Sequence, residues 1–174
     1  MDTARWVKVS ILVLSKDDRS VLYTKLTGSS DWSLPGGYVE EGELILERGT
    51  QFLAEQTGLQ VSLMRALALD QTPANSETRE PETLTYVLGA GYAKPNSIRP
   101  FGPVRWVGLE EVMRAEGLTK YAVTSALYAG GKALSICLGG EAIYSDADYR
   151  MAEKLKQAHR RGEWTPGNPI PEGF

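Results

Sequence analysis

"GGYVEEGELILERGTQFLAEQTGL" (Gly36–Leu59) is the most informative stretch of this 174-residue chain. It follows Ser33-Leu34-Pro35, so a short extended segment is broken by Pro35, Gly36 and Gly37 before a helix begins. The spacing predicts that helix over about Leu44 to Gln56, with Gly58 in the left-handed position that ends it. Gly36, Gly37 and Gly58 read as turn glycines, placed where positive φ or close backbone approach is needed. At about 100° per residue, Leu46, Leu53, Gly49, Gln56, Ile45 and Phe52 fall along one arc of the helix, with Arg48 and Glu55 just beyond Phe52.

Outward from this stretch, strands and helices are mixed. "WVKVSILVLS" (6–15) is β-branched and apolar and predicts a buried strand, joined through the turn "KDDR" to a second strand, "SVLYTKL". "LQVSLMRALALD" (59–70) and "LTYVLGAGYA" (84–93) predict further strands around the polar loop "QTPANSETREPET". After the loop "KPNSIRPFGP", "VRWVGLEEVMRAEG" reads as a short strand running into a short helix, and "LTKYAVTSALYAGGKAL" as a packed helix. "SDADYRMAEKLKQAHRRG" carries a helix signature, with Ser145 and Asp148 spaced as a capping box and Gly162 as the stop. "EWTPGNPIPEGF" then reads as extended or loose. Without regular βαβ alternation, the pattern predicts α+β or an α/β sandwich.

Composition bounds the function classes. The chain is 42% hydrophobic and 24% charged, with net charge −3, so nothing favours nucleic acid or an acidic membrane as a partner. One cysteine, Cys137, excludes an intrachain disulfide, and with one histidine, His159, no zinc site can be built. The start "MDTARWVKVSILVL" is unlike a signal peptide, and no run approaches the roughly 18 apolar residues of a membrane span. The expectation is a cytoplasmic protein.

From Gly37 onward the sequence resembles the Nudix family, whose signature is G-x5-E-x7-R-E-U-x-E-E-x-G-U, with U a bulky aliphatic residue. Gly37 and Glu43 match the opening pair, Leu53 the first U, Glu55 the first paired glutamate, and Gly58 and Leu59 the close. "WSLPG" and "VRWVGLEEV" look like the family's flanking segments. The resemblance implies a Nudix-like α/β/α sandwich with a mixed sheet over residues 1–134. Residues 135–174 read as a C-terminal extension with one helix and a Pro-rich tail, packed on the domain or on a second subunit. Because family members often pair, a homodimer is one expected assembly.

The resemblance further implies a cleft for nucleoside-diphosphate-linked ligands. In the family, carboxylates on one helix face hold divalent cations that screen a phosphoanhydride and activate water. Positions i, i+3 and i+4 share a face, which is why E-x-x-E-E converges on one site. Here Gln51 stands for the arginine that usually pairs with the opening glutamate, Phe52 for a metal-binding glutamate, and Gln56 for the second paired glutamate. Only Glu55 is kept, as the candidate catalytic and metal-binding residue. Mg²⁺ or Mn²⁺ is the implied cofactor, but one carboxylate supports it weakly.

Arg48 and Arg105 are candidate phosphate-binding residues. Gly36, Gly37, Glu43 and Gly58 are structural, Glu43 as a fixer of the loop. The plainer alternatives are that Phe52 widens the buried stripe, that Glu55 is a solvated residue paired with Arg48, and that Trp6, Tyr23 and Trp32 pack rather than stack on a base. Glu40, Glu41 and Glu47 read as surface charge. Two functions stay open: a Nudix-type hydrolase with Mg²⁺-dependent hydrolysis weakened or lost, and a non-catalytic nucleotide- or diphosphate-binding module on the same fold. A third is a different reaction in the same cleft.

Overall fold

The computed structural model describes residues 5–17, 19–25, 28–63, 65–100, 102–115, 117–128, 134–143, 146–166 and 168–170. Among the described residues eight strands form one mixed sheet: β1 (Trp6–Ser15), β2 (Ser20–Thr24), β3 (Gly36–Val39), β4 (Arg65–Thr72), β5 (Thr83–Ala93), β6 (Val104–Gly108), β7 (Ser135–Leu138) and β8 (Glu141–Ile143). Their order is β6-β2-β1-β5-β4-β7-β8, with β3 added to β1. β1 runs parallel to β5 and β4 to β7, and the other pairings are antiparallel. The helices are α1 (Ile45–Thr57), α2 (Leu109–Arg114), α3 (Leu118–Leu127) and α4 (Asp146–Arg160).

Two apolar clusters hold the layers together. Val9, Ile11, Val13, Leu22 and Leu88 meet Phe52 and Leu53 of α1 on one face of the sheet. Leu12, Leu14, Leu67 and Val87 meet Val123 and Leu127 of α3 and Leu155 and Ala158 of α4 on the other. Side chains alternate faces along a strand, so β1, buried on both, is apolar almost throughout. The α/β/α sandwich with a mixed sheet is therefore the fold. No helix of the described residues is long and apolar enough to cross a membrane.

Local expectations differ at several places. The strand expected over 59–70 begins only at Arg65. Val61 and Leu63 instead pack beneath α1, where the Leu63 side chain fills the space left by Gly49. Leu46, placed by the helical arc on the apolar face, is 55% exposed, because Gly49, Phe52, Leu53 and Thr57 make the buried contact. Residues 135–143 supply two strands where no strand was expected, with Ser135 opposite Ala68 and Cys137 opposite Asp70. The tail beyond α4 is anchored rather than loose at Trp164, which is buried and donates its indole N–H to the Pro169 carbonyl at 3.2 Å. Of the expected capping box, Ser145 lies outside the described residues.

Candidate functional site at the junction of α1 and β3

β3 is a glycine-dependent strand. Gly36 and Gly37 pair with Ser10 and Val9 of β1. At Gly36 φ is 151°, and a Cβ there would overlap the Val9 carbonyl oxygen. A Cβ on Gly37 would lie 2.7 Å from the Phe52 ring. Both glycines are required by contact, Gly36 with the neighbouring strand and Gly37 with the helix.

Phe52, 8% exposed, lies against the Gly37 backbone and belongs to the α1-side core. The Arg48 guanidinium stands 4.0 Å above its ring centre, within cation–π range. Arg48 also collects the nearby acceptors. Its Nε lies 3.6 Å from Glu43 Oε1, and its Nη1 lies 3.4 Å from Glu55 Oε1 and donates to Gln51 Oε1 at 3.0 Å. The pairing of the opening glutamate has thus moved three residues earlier on the helix, from the position of Gln51 to Arg48. Glu43 in addition accepts the Glu40 amide N–H at 2.8 Å, closing the turn before α1.

Gln56 joins helix to strand. Its Nε2 donates to the Gly36 carbonyl at 2.8 Å, and its Oε1 accepts the Gly36 N–H at 3.0 Å and the Thr24 hydroxyl at 3.4 Å. Gly58 ends the helix at φ 74°, donating to the Ala54 carbonyl. A Cβ there would lie 2.5 Å from the Arg99 carbonyl oxygen, whose residue's own N–H bonds the Thr57 carbonyl at 3.0 Å.

The structure therefore gathers Gly36, Gly37, Glu43, Arg48 and Glu55 around one helix–strand junction. Arg105 stands apart on β6, paired with Tyr23 and 4.7 Å over the Trp32 ring. Sequence reasoning missed the Arg48–Phe52 stack and the Gln56 clamp. The i, i+4 spacing of Arg48 and Phe52 was a usable signal for the first. Nothing local signals the second, which joins residues 20 positions apart.

This donor set does not fit a divalent cation. Glu55 faces Arg48, Gln56 has both ends of its amide bonded to β3, and Phe52 offers no lone pair. Among the described residues no group of three or more His, Cys, Asp or Glu converges.

A glycine-rich strand, a fixed turn and a helix whose one face looks onto that strand frame this junction. The NUDIX domain model matches residues 4–127, and the chain belongs to the Nudix family, whose members usually use a divalent metal. Nudix hydrolase 10 of Arabidopsis thaliana is 32% identical over 72 residues, a match spanning 41% of this chain and 26% of that protein. Among solved structures, a MutT protein from Methanosarcina mazei Go1 aligns at TM-score 0.55 and 16% identity, covering 92% of this chain and 99% of that one. A NUDIX hydrolase from Nitrosomonas europaea aligns at TM-score 0.56 and 16% identity, covering 76% and 77%. At such identities the two structures speak for the fold alone.

Proposed function

We propose that this chain is a divergent Nudix protein. On this reading its cleft holds a nucleoside-diphosphate-linked ligand, and its metal-dependent hydrolysis is weakened or lost. The observation that carries this reading is the Phe52 ring seated on Gly37 under Arg48. An apolar ring takes the place of a metal-binding carboxylate and is held there from both sides. Of the three signature carboxylate positions, Glu55 alone keeps a group able to act as a base or ligand, and it is charge-paired. Arg48 lies between two carboxylates and adds little net positive charge, whereas Arg105 has no carboxylate partner among the described residues and is the stronger candidate for a phosphate oxygen.

The second reading, a non-catalytic binding or regulatory module, is favoured by Gln56. Its amide bonds both the N–H and the carbonyl of Gly36, so helix and strand are joined without a cation.

The test is hydrolysis of ADP-ribose, NADH and nucleoside triphosphates with Mg²⁺ and Mn²⁺, by the unmodified chain and by Phe52→Glu/Gln56→Glu. The expected result is little or no turnover by the unmodified chain together with measurable ligand binding. Robust turnover that disappears in Glu55→Gln would overturn the proposal.

A further inference from the structure

One residue beyond Gly37, the sheet exposes two aromatic rings. Trp6 and Tyr38 are 45% and 53% exposed, and they meet edge to face with centroids 5.1 Å apart and planes at 71°. Gly37 faces Phe52, so alternation along β3 turns Tyr38 to the opposite face, where the Trp6 ring reaches it from β1. The pair borders a cavity of about 450 Å³, lined also by Val7, Val39, Glu40 and Glu41. Arg5, at the rim, is paired with Glu82 at 3.1 Å. Glu40 and Glu41 form no ion pair among the described residues.

Exposed rings and unpaired carboxylates select for a particular chemistry. An edge-to-face pair leaves ring faces open for stacking by another flat ring. Ionised carboxylates only accept hydrogen bonds, so the flat ring must present donors. A guanine-type base offers adjacent ring and exocyclic N–H groups that one carboxylate accepts together. A uracil-type base presents its single N–H between two carbonyl oxygens, which the carboxylates repel.

We propose that the Trp6–Tyr38 corner is a base-binding platform that prefers guanine-type over uracil-type heterocycles, stacked on the rings with the donor edge on Glu40 and Glu41. The inference rests on the reading of the neighbouring cleft as a diphosphate site for the identity of the whole ligand, but the platform is separately measurable. The base and diphosphate sites then lie on opposite faces of strand β3.

The test is calorimetry and tryptophan fluorescence on the full chain with guanosine, GDP, UDP and inorganic pyrophosphate. GDP is expected to bind more tightly than UDP. Trp6→Ala and Tyr38→Ala are each expected to lower GDP affinity by roughly five-fold or more, the lower end of base–aromatic stacking, without changing pyrophosphate affinity. Trp6→Phe should retain binding, and Glu40→Gln/Glu41→Gln should abolish the preference for GDP over UDP. Unchanged thermal unfolding of the variants verifies folding. Pyrophosphate binding with GDP no tighter and insensitive to Trp6 would overturn the platform while leaving the diphosphate reading in place. Trp6-dependent binding of guanosine and GDP without pyrophosphate binding would support the platform and remove the diphosphate reading. No binding of guanosine or GDP would overturn the platform.

Discussion

At Gln56, one carboxamide meets two needs that a carboxylate cannot meet together. It accepts from the Gly36 N–H and donates to the Gly36 carbonyl. Gln56→Glu keeps the first bond and sets a negative oxygen against the second group. A glutamate there restores the family's residue type, yet it is expected to destabilise the fold by about 1–3 kcal/mol, the cost of leaving the part-buried Gly36 carbonyl without its donor. Urea unfolding of the single variant checks this, with no loss of stability as the contrary result. Cys137 offers a second test. Burial, then the nearby Asp70 and Glu141 charges, push its thiol from 9.0 up to about 11. The folded state therefore favours the protonated thiol, and its contribution to stability is complete below pH 9 and is lost as pH rises through about 11. Thiolate absorbance of the native chain should have its midpoint near pH 11, and the urea midpoint should fall over the same interval in the unmodified chain more than in Cys137→Ala.

Helix α1 shows how one element is fixed at both ends by different physics. Its N-terminal end is set by Glu43 closing the preceding turn and by Arg48 pairing back to Glu43. Its C-terminal end is set by Gly58, whose positive φ and contact with Arg99 exclude a side chain. Gly58→Ala is expected to cost more than about 1 kcal/mol, because a Cβ meets both a left-handed backbone and a carbonyl oxygen. Thermal unfolding measures it, and a variant as stable as the unmodified chain would contradict the account. The centre of the helix was legible in sequence as an apolar arc containing Phe52 and Leu53. The exposure of Leu46 was not, because where the arc stops depends on how far the sheet extends beneath it.

The described residues of 135–170 meet the rest of the molecule through both sheet and core. β7 extends the sheet beyond β4, the Gly140 N–H bonds the buried Asp70 carboxylate at 2.8 Å, and Leu155, Ala158 and Trp164 pack in the α3-side core. A chain ending at residue 134 is expected to lose cooperative unfolding, since it exposes one edge of β4 and leaves Asp70 without that amide. Circular dichroism during thermal denaturation, with dye binding to exposed apolar surface, checks this. A sharp transition at the temperature of the full chain would contradict it.

Residue spacing by itself determined the Gly37–Leu59 frame, the helix within it and the mixed α/β class, because glycine placement and apolar periodicity are local properties of the chain. The resemblance to the family signature identified Phe52 and Gln56 as departures from its carboxylate set. Only the tertiary structure decided what those residues do. The Phe52 ring lies on Gly37, 15 positions earlier in the chain, and the Gln56 amide clamps Gly36, 20 positions away. It likewise decided that residues 135–143 form strands, since short segments with little periodicity become strands when an open edge such as that of β4 supplies hydrogen-bond partners.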